Sequence, residues 1–368
     1  MTLPQSASLP VQLLAQCFND TSATYKFYWF LSVLQEAEKG NFSPSKRDLF
    51  AGMVSNAWYT VNYFHVSFGK QDKLQRAILG IQEQEGLCID SPLKKVFKHL
   101  AGTNDRDTLR ALYYFNKEVP WRFLSPWIKA SEKEVYEVSQ HFKNDCLYAL
   151  YAHHIEINPI WIDYLLSNSG ILKSFCYWKL SLYLQKHNPN VPDIPNKLIK
   201  PAKRNNLNEQ RKFWNIIFDE MDSVNCIYTG AKLYSDSFAV EHFIPYSFVS
   251  HDLMWNLIPA DRSFNCSKND KLPSLDRYFE DFFELQKSAI EIVKYCSPKN
   301  KFLEDYLSIF PDLENLNQPW FKERYRETLQ PLITIAGNNG FVEMHYEEEL
   351  FQNILSATDN LQSSIAKY

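Results

Sequence analysis

A chain of 368 residues is longer than one typical core and predicts more than one domain. With a net charge of −4 the molecule as a whole is not a basic nucleic-acid binder, so any grip on phosphate must come from a local patch. Hydrophobic residues at 45% and charged residues at 22% exclude a disordered chain, and 10 glycines against 15% aromatics favour helices over a turn-dense all-β fold.

The seven cysteines are scattered and no C-x-x-C occurs, which argues against a zinc ribbon or a redox motif and for reduced, mostly buried thiols. The first twenty residues lack the pattern of a signal peptide, and no apolar run is long enough to span a bilayer. The expectation is a cytoplasmic protein with no membrane contact.

In chain order, Ser43-Pro44 reads as a helix start leading into Leu49, Met53, Ala57, Val61 and Phe64 at helical spacing. Ser131 and Glu134 make a capping-box pattern. The stripe Val135, Val138, Phe142, Cys146, Ala149 and Ala152 behind it predicts one long helix. Residues 1–190 are therefore expected to form a helical domain. The stretch 188–206 holds Pro189, Pro192, Pro195 and Pro201, a density no helix continues through, and marks a boundary. It closes on Lys197, Lys200, Lys203 and Arg204, either an arm against phosphates or a solvated linker. Residues 191–222 combine this linker with a lead-in helix over about 208–221. After Pro273, Ser274 is a plausible cap for a stripe of Leu275, Phe279, Phe282, Leu285, Ala289, Ile292 and Cys296, which opens a helical region over 275–368.

Between them, 223–274 has a different texture. Cys226-Ile227-Tyr228 is a β-prone run stopped by Thr229-Gly230, and Phe238-Ala239-Val240 is a second, ending at Glu241-His242. An irregular stretch follows to Met254, and Pro259-Ala260-Asp261 reads as the start of a helix reaching about Asp270. The expected fold class is mainly α with a small α+β module. Asn265 and Lys268 are three apart and share a helix face. A carboxylate, an imidazole, a carboxamide and an ammonium can thus converge, the set that phosphodiester hydrolysis requires.

At these residues the sequence resembles the HNH, or ββα-metal, endonuclease family, in the version found in CRISPR effector nucleases and bacterial restriction and defence proteins. The resemblance rests on C226-I-Y-T-G, V-E-H-F-I-P, W-N-L-I-P and N-C-S-K-N-D-K-L-P, with His242, Asn256 and Asn265 at the family's separations. It covers about fifty residues. It implies His242 as general base, its neutral form held by a backbone carbonyl, and Glu241 and Asn265 as ligands of Mg²⁺ or Mn²⁺. Asn256 would tie loop to strand, and Lys268 would support the charge of the transition state. Glu241 stands where the family often has Asp. The zinc-binding Cys pairs of some relatives are absent, so Tyr228, Phe238 and Trp255 are expected to hold the hairpin by packing.

The implied function is a nuclease that nicks DNA, leaving 5′-phosphate and 3′-hydroxyl ends, in restriction or anti-phage defence. Lys200, Lys203, Arg204 and Lys271 are candidate nucleic-acid contacts. Two alternatives stand beside this: a partner-docking or nucleic-acid sensor module with marginal catalysis, and a ribonuclease toxin. The helical regions are candidate surfaces for a protein partner or a second copy. His251 and Asp252 read as solvated loop residues.

Overall fold

The structure is a computed structural model that describes residues 2–19, 21–199 and 206–344. It is mainly helical, with three two-stranded antiparallel sheets. The chain divides into two compact units: residues 1–205 with 247–250, and residues 206–246 with 251–368. Lys200, Lys203 and Arg204 lie outside the described residues.

In the first unit, α1 (Tyr25–Glu38) packs along α2 (Lys46–Asn62). Gly52 permits this approach, since an added Cβ would fall 2.7 Å from Ser32 Oγ. The cap of α2 is Ser45 rather than Ser43: its Oγ accepts from Asp48 N at 3.1 Å and donates to the Asp48 carboxylate at 2.7 Å. Leu49, Met53, Ala57 and Val61 are buried on α2, whereas Phe64 is buried beyond its end.

The long helix predicted from Ser131 is corrected. Ser131 does cap α3, but α3 is Glu132–Ser139 and stops there. Phe142, Asn144 and Asp145 all take positive φ, and the chain turns into an antiparallel hairpin of β1 (Tyr148–Leu150) and β2 (Ile155–Ile157). Of the predicted stripe, Val135 is buried on α3 and Cys146 and Ala149 are buried at the hairpin, while Val138 and Phe142 are half-buried and Ala152 is exposed. Tyr148 completes this core by accepting from Trp29 Nε1 at 2.9 Å and donating to Pro120 O at 2.6 Å.

Helix α4 (Ser169–His187) ends before the proline-rich stretch. There Lys197 is not part of a solvent arm. It is buried, its Nζ donating to Pro192 O at 2.6 Å and to Ser250 Oγ at 2.7 Å. That burial pushes its ammonium pKa down to about 7.

The second unit opens with α5 (Asn208–Met221), then a short hairpin of β3 (Val224–Asn225) and β4 (Lys232–Leu233). Cys226 to Gly230 form the turn of this hairpin and not a strand: Gly230 N donates to Cys226 O at 2.8 Å, with Gly230 at φ +72°. A second antiparallel pair joins β5 (Phe238–His242) to β6 (Leu257–Asp261), in the register Val240 opposite Pro259 and His242 opposite Leu257. Pro259 is therefore a strand residue and not a helix start. In a two-stranded ribbon every strand is an edge, where a missing N–H is tolerated.

The helix begins three residues later, as α6 (Arg262–Lys268), because Asp261 caps it by accepting from Ser263 N and Phe264 N, each at 2.9 Å. Last come α7 (Leu275–Cys296) and α8 (Pro319–Asn338). Along α7 the buried face drifts from the predicted stripe. Ile290 and Val293 are buried, while Leu285 and Ile292 are half-buried and Cys296 is exposed. Cys88 and Cys266 are exposed as well, Cys266 against the expectation of a buried thiol, whereas Cys17, Cys146, Cys176 and Cys226 are buried.

Candidate active site

The ββα arrangement of β5, β6 and α6 sets the site. α6 runs alongside β5, so that its last turn reaches the His242 end of the strand. Lys268 makes this docking specific. Its side chain is fully buried, and Nζ donates to Glu241 Oε1 at 2.7 Å and to His242 O at 2.8 Å. One ammonium therefore fixes the carboxylate and the backbone beside the imidazole.

Asn256 closes the other side. Its Oδ1 accepts from Ile244 N and its Nδ2 donates to Ile244 O, both at 2.8 Å, while Phe243 N donates to Asn256 O at 2.8 Å. The carboxamide clasps the strand two residues past His242 and is wholly buried. Asn256→Ala would strip partners from a buried N–H and a buried C=O, at about 1–3 kcal/mol each. The expected result is a loss of about 2–6 kcal/mol of stability, read from the shift in the urea midpoint.

His242 has a partner that its sequence neighbourhood does not announce: Asp252 Oδ1 lies 2.8 Å from its Nε2. Asp252 is thus drawn in from the loop, its side chain only 19% exposed. Sequence reasoning missed this partner because an acid in an irregular loop carries no periodicity to place it.

Asn265 lies one turn before Lys268 on the same face of α6. Its Oδ1 is buried and has no hydrogen-bond partner. Buried amide oxygens without partners are rare and call for an explanation such as an ion. Glu241 stands nearby, with Lys268 on Oε1 and no other partner recorded for its carboxylate among the described residues. A carboxylate and a carboxamide oxygen are hard donors that suit Mg²⁺ or Mn²⁺. Among the described residues no group of three or more His, Cys, Asp or Glu forms a protein cage for a metal.

Packing holds this unit in place of zinc. The Tyr228 ring stacks on Phe264 with centroids 4.7 Å apart and meets Tyr278 edge-on at 5.1 Å. Burial raises the Tyr228 phenol well above its ordinary pKa, with the Glu241 charge adding to the effect. Phe238 packs against Phe218 at 4.8 Å. Beyond the ββα unit, the chain from α7 onward satisfies the backbone that leads into β6. Gln286 Nε2 donates to Met254 O at 3.2 Å and to Leu257 O at 2.8 Å, and Tyr325 Oη donates to Trp255 O at 2.5 Å. Asp305 Oδ2 accepts from Met254 N at 2.9 Å. Lys271 is exposed just past α6.

The hairpin and helix bring Glu241, His242 and Lys268 together at one end, with Asn256 fastening the chain just beyond them. Residues 226–274 match the family model described as HNH endonuclease, and the chain carries an HNH-family domain there. No curated protein and no solved structure matches the chain. The domain supports nuclease activity, a hydrolase reaction on nucleic acid. Among the described residues no helix is long and apolar enough to cross a membrane.

Proposed function

We propose that the protein is a metal-dependent endonuclease that hydrolyses DNA, one strand per active site, leaving 5′-phosphate and 3′-hydroxyl ends. The observation that carries this is the partnerless buried oxygen of Asn265, one helical turn from the lysine that holds Glu241 and the backbone of His242. Glu241 and Asn265 would hold Mg²⁺ or Mn²⁺, which when bound supplies Lewis acidity at the phosphate and at the departing oxygen.

The chain's own groups do the rest. His242 takes a proton from water, with Asp252 beside Nε2 orienting the ring and stabilising the cation that forms. The water oxygen bonds to phosphorus as the bond to the 3′ oxygen breaks, and that oxygen takes a proton from a second solvent water to become the 3′-hydroxyl. Asn256 keeps the strand and loop in register and touches no substrate. Lys268 acts through Glu241 and His242, because its ammonium is enclosed by them. By analogy of architecture alone, we assign the protein to restriction or antiviral defence.

The test uses purified full-length protein with supercoiled plasmid and Mg²⁺ or Mn²⁺. Relaxed circles are expected, and EDTA should abolish them. Cleavage of RNA but not DNA would overturn the substrate. Inertness toward both, with either metal, would overturn the nuclease assignment.

A further inference from the structure

Two arginines converge at the opposite end of β5 from His242. Arg211 on α5 donates from Nη2 to Phe238 O at 2.8 Å, and its guanidinium lies 4.2 Å from the centre of the Phe238 ring. Arg262, the first residue of α6, places Nε 3.5 Å from the same carbonyl oxygen and donates from Nη2 to Asp236 O at 2.7 Å. Arg262 is exposed and Arg211 is half-buried. Among the described residues neither is recorded in an ion pair. Asp236 offers Arg262 its backbone oxygen, and the recorded bonds of the Asp261 carboxylate run from Ser263 and Phe264 to Oδ1. Two like charges therefore sit together, neither in a recorded ion pair among the described residues. Arg211 is held below the usual arginine pKa by burial, with the charge of Arg262 contributing.

A structural tie to one carbonyl oxygen needs a single donor. A second guanidinium, exposed and outside any recorded ion pair beside it, is a site for an anion, and the planar fork of arginine suits phosphate. We propose that Arg211 and Arg262 form a phosphate clamp, which grips the nucleic-acid backbone a few nucleotides from the bond that is cut. For the identity of its ligand the clamp rests on the nuclease assignment. The spacing fits: four residues of β5 separate Phe238 from His242, about 13 Å. One strand of a duplex carries a phosphate about every 3.4 Å along the axis. Because α6 runs along β5 from Arg262 to Lys268, the clamp and the reactive end lie on one track.

Anisotropy of a labelled DNA duplex, and of an RNA duplex of the same sequence, tests this in EDTA with full-length protein across a salt series. Arg262→Gln should weaken binding about eightfold at 0.1 M salt, the counterion release of one phosphate contact. The slope of log Kd against log salt should fall by about one. Arg262→Lys should restore most of the slope, and Arg211→Lys should weaken binding while keeping the packing over Phe238. Lys322→Gln is the charge control, since that exposed lysine pairs with Glu280. Loss on DNA alone, on RNA alone or on both identifies the backbone gripped.

Unchanged affinity and slope in Arg262→Gln would overturn the clamp. An equal loss in Lys322→Gln, or no salt-dependent binding of either duplex, would do the same. Protein that binds through Arg262 yet cuts nothing when metal is supplied would instead overturn the nuclease assignment and leave the clamp standing.

Discussion

Replacing His242 with alanine should lower single-turnover plasmid nicking by about 10²–10⁴-fold, the usual contribution of a positioned general base. Duplex binding in EDTA should be unchanged, because the imidazole sits at the reacting end and Nε2 faces Asp252. Added imidazole should recover part of the rate, which a purely structural role would not allow. Asp252→Asn keeps a hydrogen-bonding group beside Nε2 but removes its charge, so a smaller loss of about 10–100-fold is expected. Nicking by His242→Ala at the wild-type rate would assign the base elsewhere.

The second large effect concerns stability. Lys268→Met should cost about 3–5 kcal/mol, because it leaves the Glu241 carboxylate, 11% exposed, without its cation and strips a donor from His242 O. Adding Glu241→Gln to that variant should return part of the loss, since the uncompensated charge is then gone. Urea unfolding followed by tryptophan fluorescence reads both. The exposed Lys322–Glu280 pair is the comparison, and breaking it should cost less than about 1 kcal/mol. A Lys268→Met chain as stable as wild type would mean that the buried pair contributes no net stability.

What the sequence displays depends on how far apart interacting residues lie. Asn265 and Lys268 share a face because three positions along a helix always do, and a mainly α chain with a small α+β module follows from composition and spacing. Pattern alone fails where two backbones obey the same spacing. The apolar positions from Val135 to Ala152 suit a helix by count, yet positive φ at Phe142, Asn144 and Asp145 breaks it into a hairpin. Pro259 reads as a helix opener by residue type, yet pairing with Val240 holds it in a strand, and the side-chain cap at Asp261 sets the true start. Partners reached only through the fold carry no signal at all. Asp252 meets His242 across a loop, and Arg211 meets Arg262 from a helix far back in the chain.

Gln286, Tyr325 and Asp305 have one more implication. Together they satisfy Met254 N and the carbonyls of Met254, Trp255 and Leu257, yet all three lie past the end of the segment that matches the family. Excised at residue 274, those four backbone groups would lose these partners, and apolar residues that the downstream helices cover, such as Phe243 against Phe282, would open to water. The catalytic piece is therefore no portable cassette. Recombination or engineering that transplants it must bring the downstream helices too, and a graft cut at the family's borders should aggregate rather than cut.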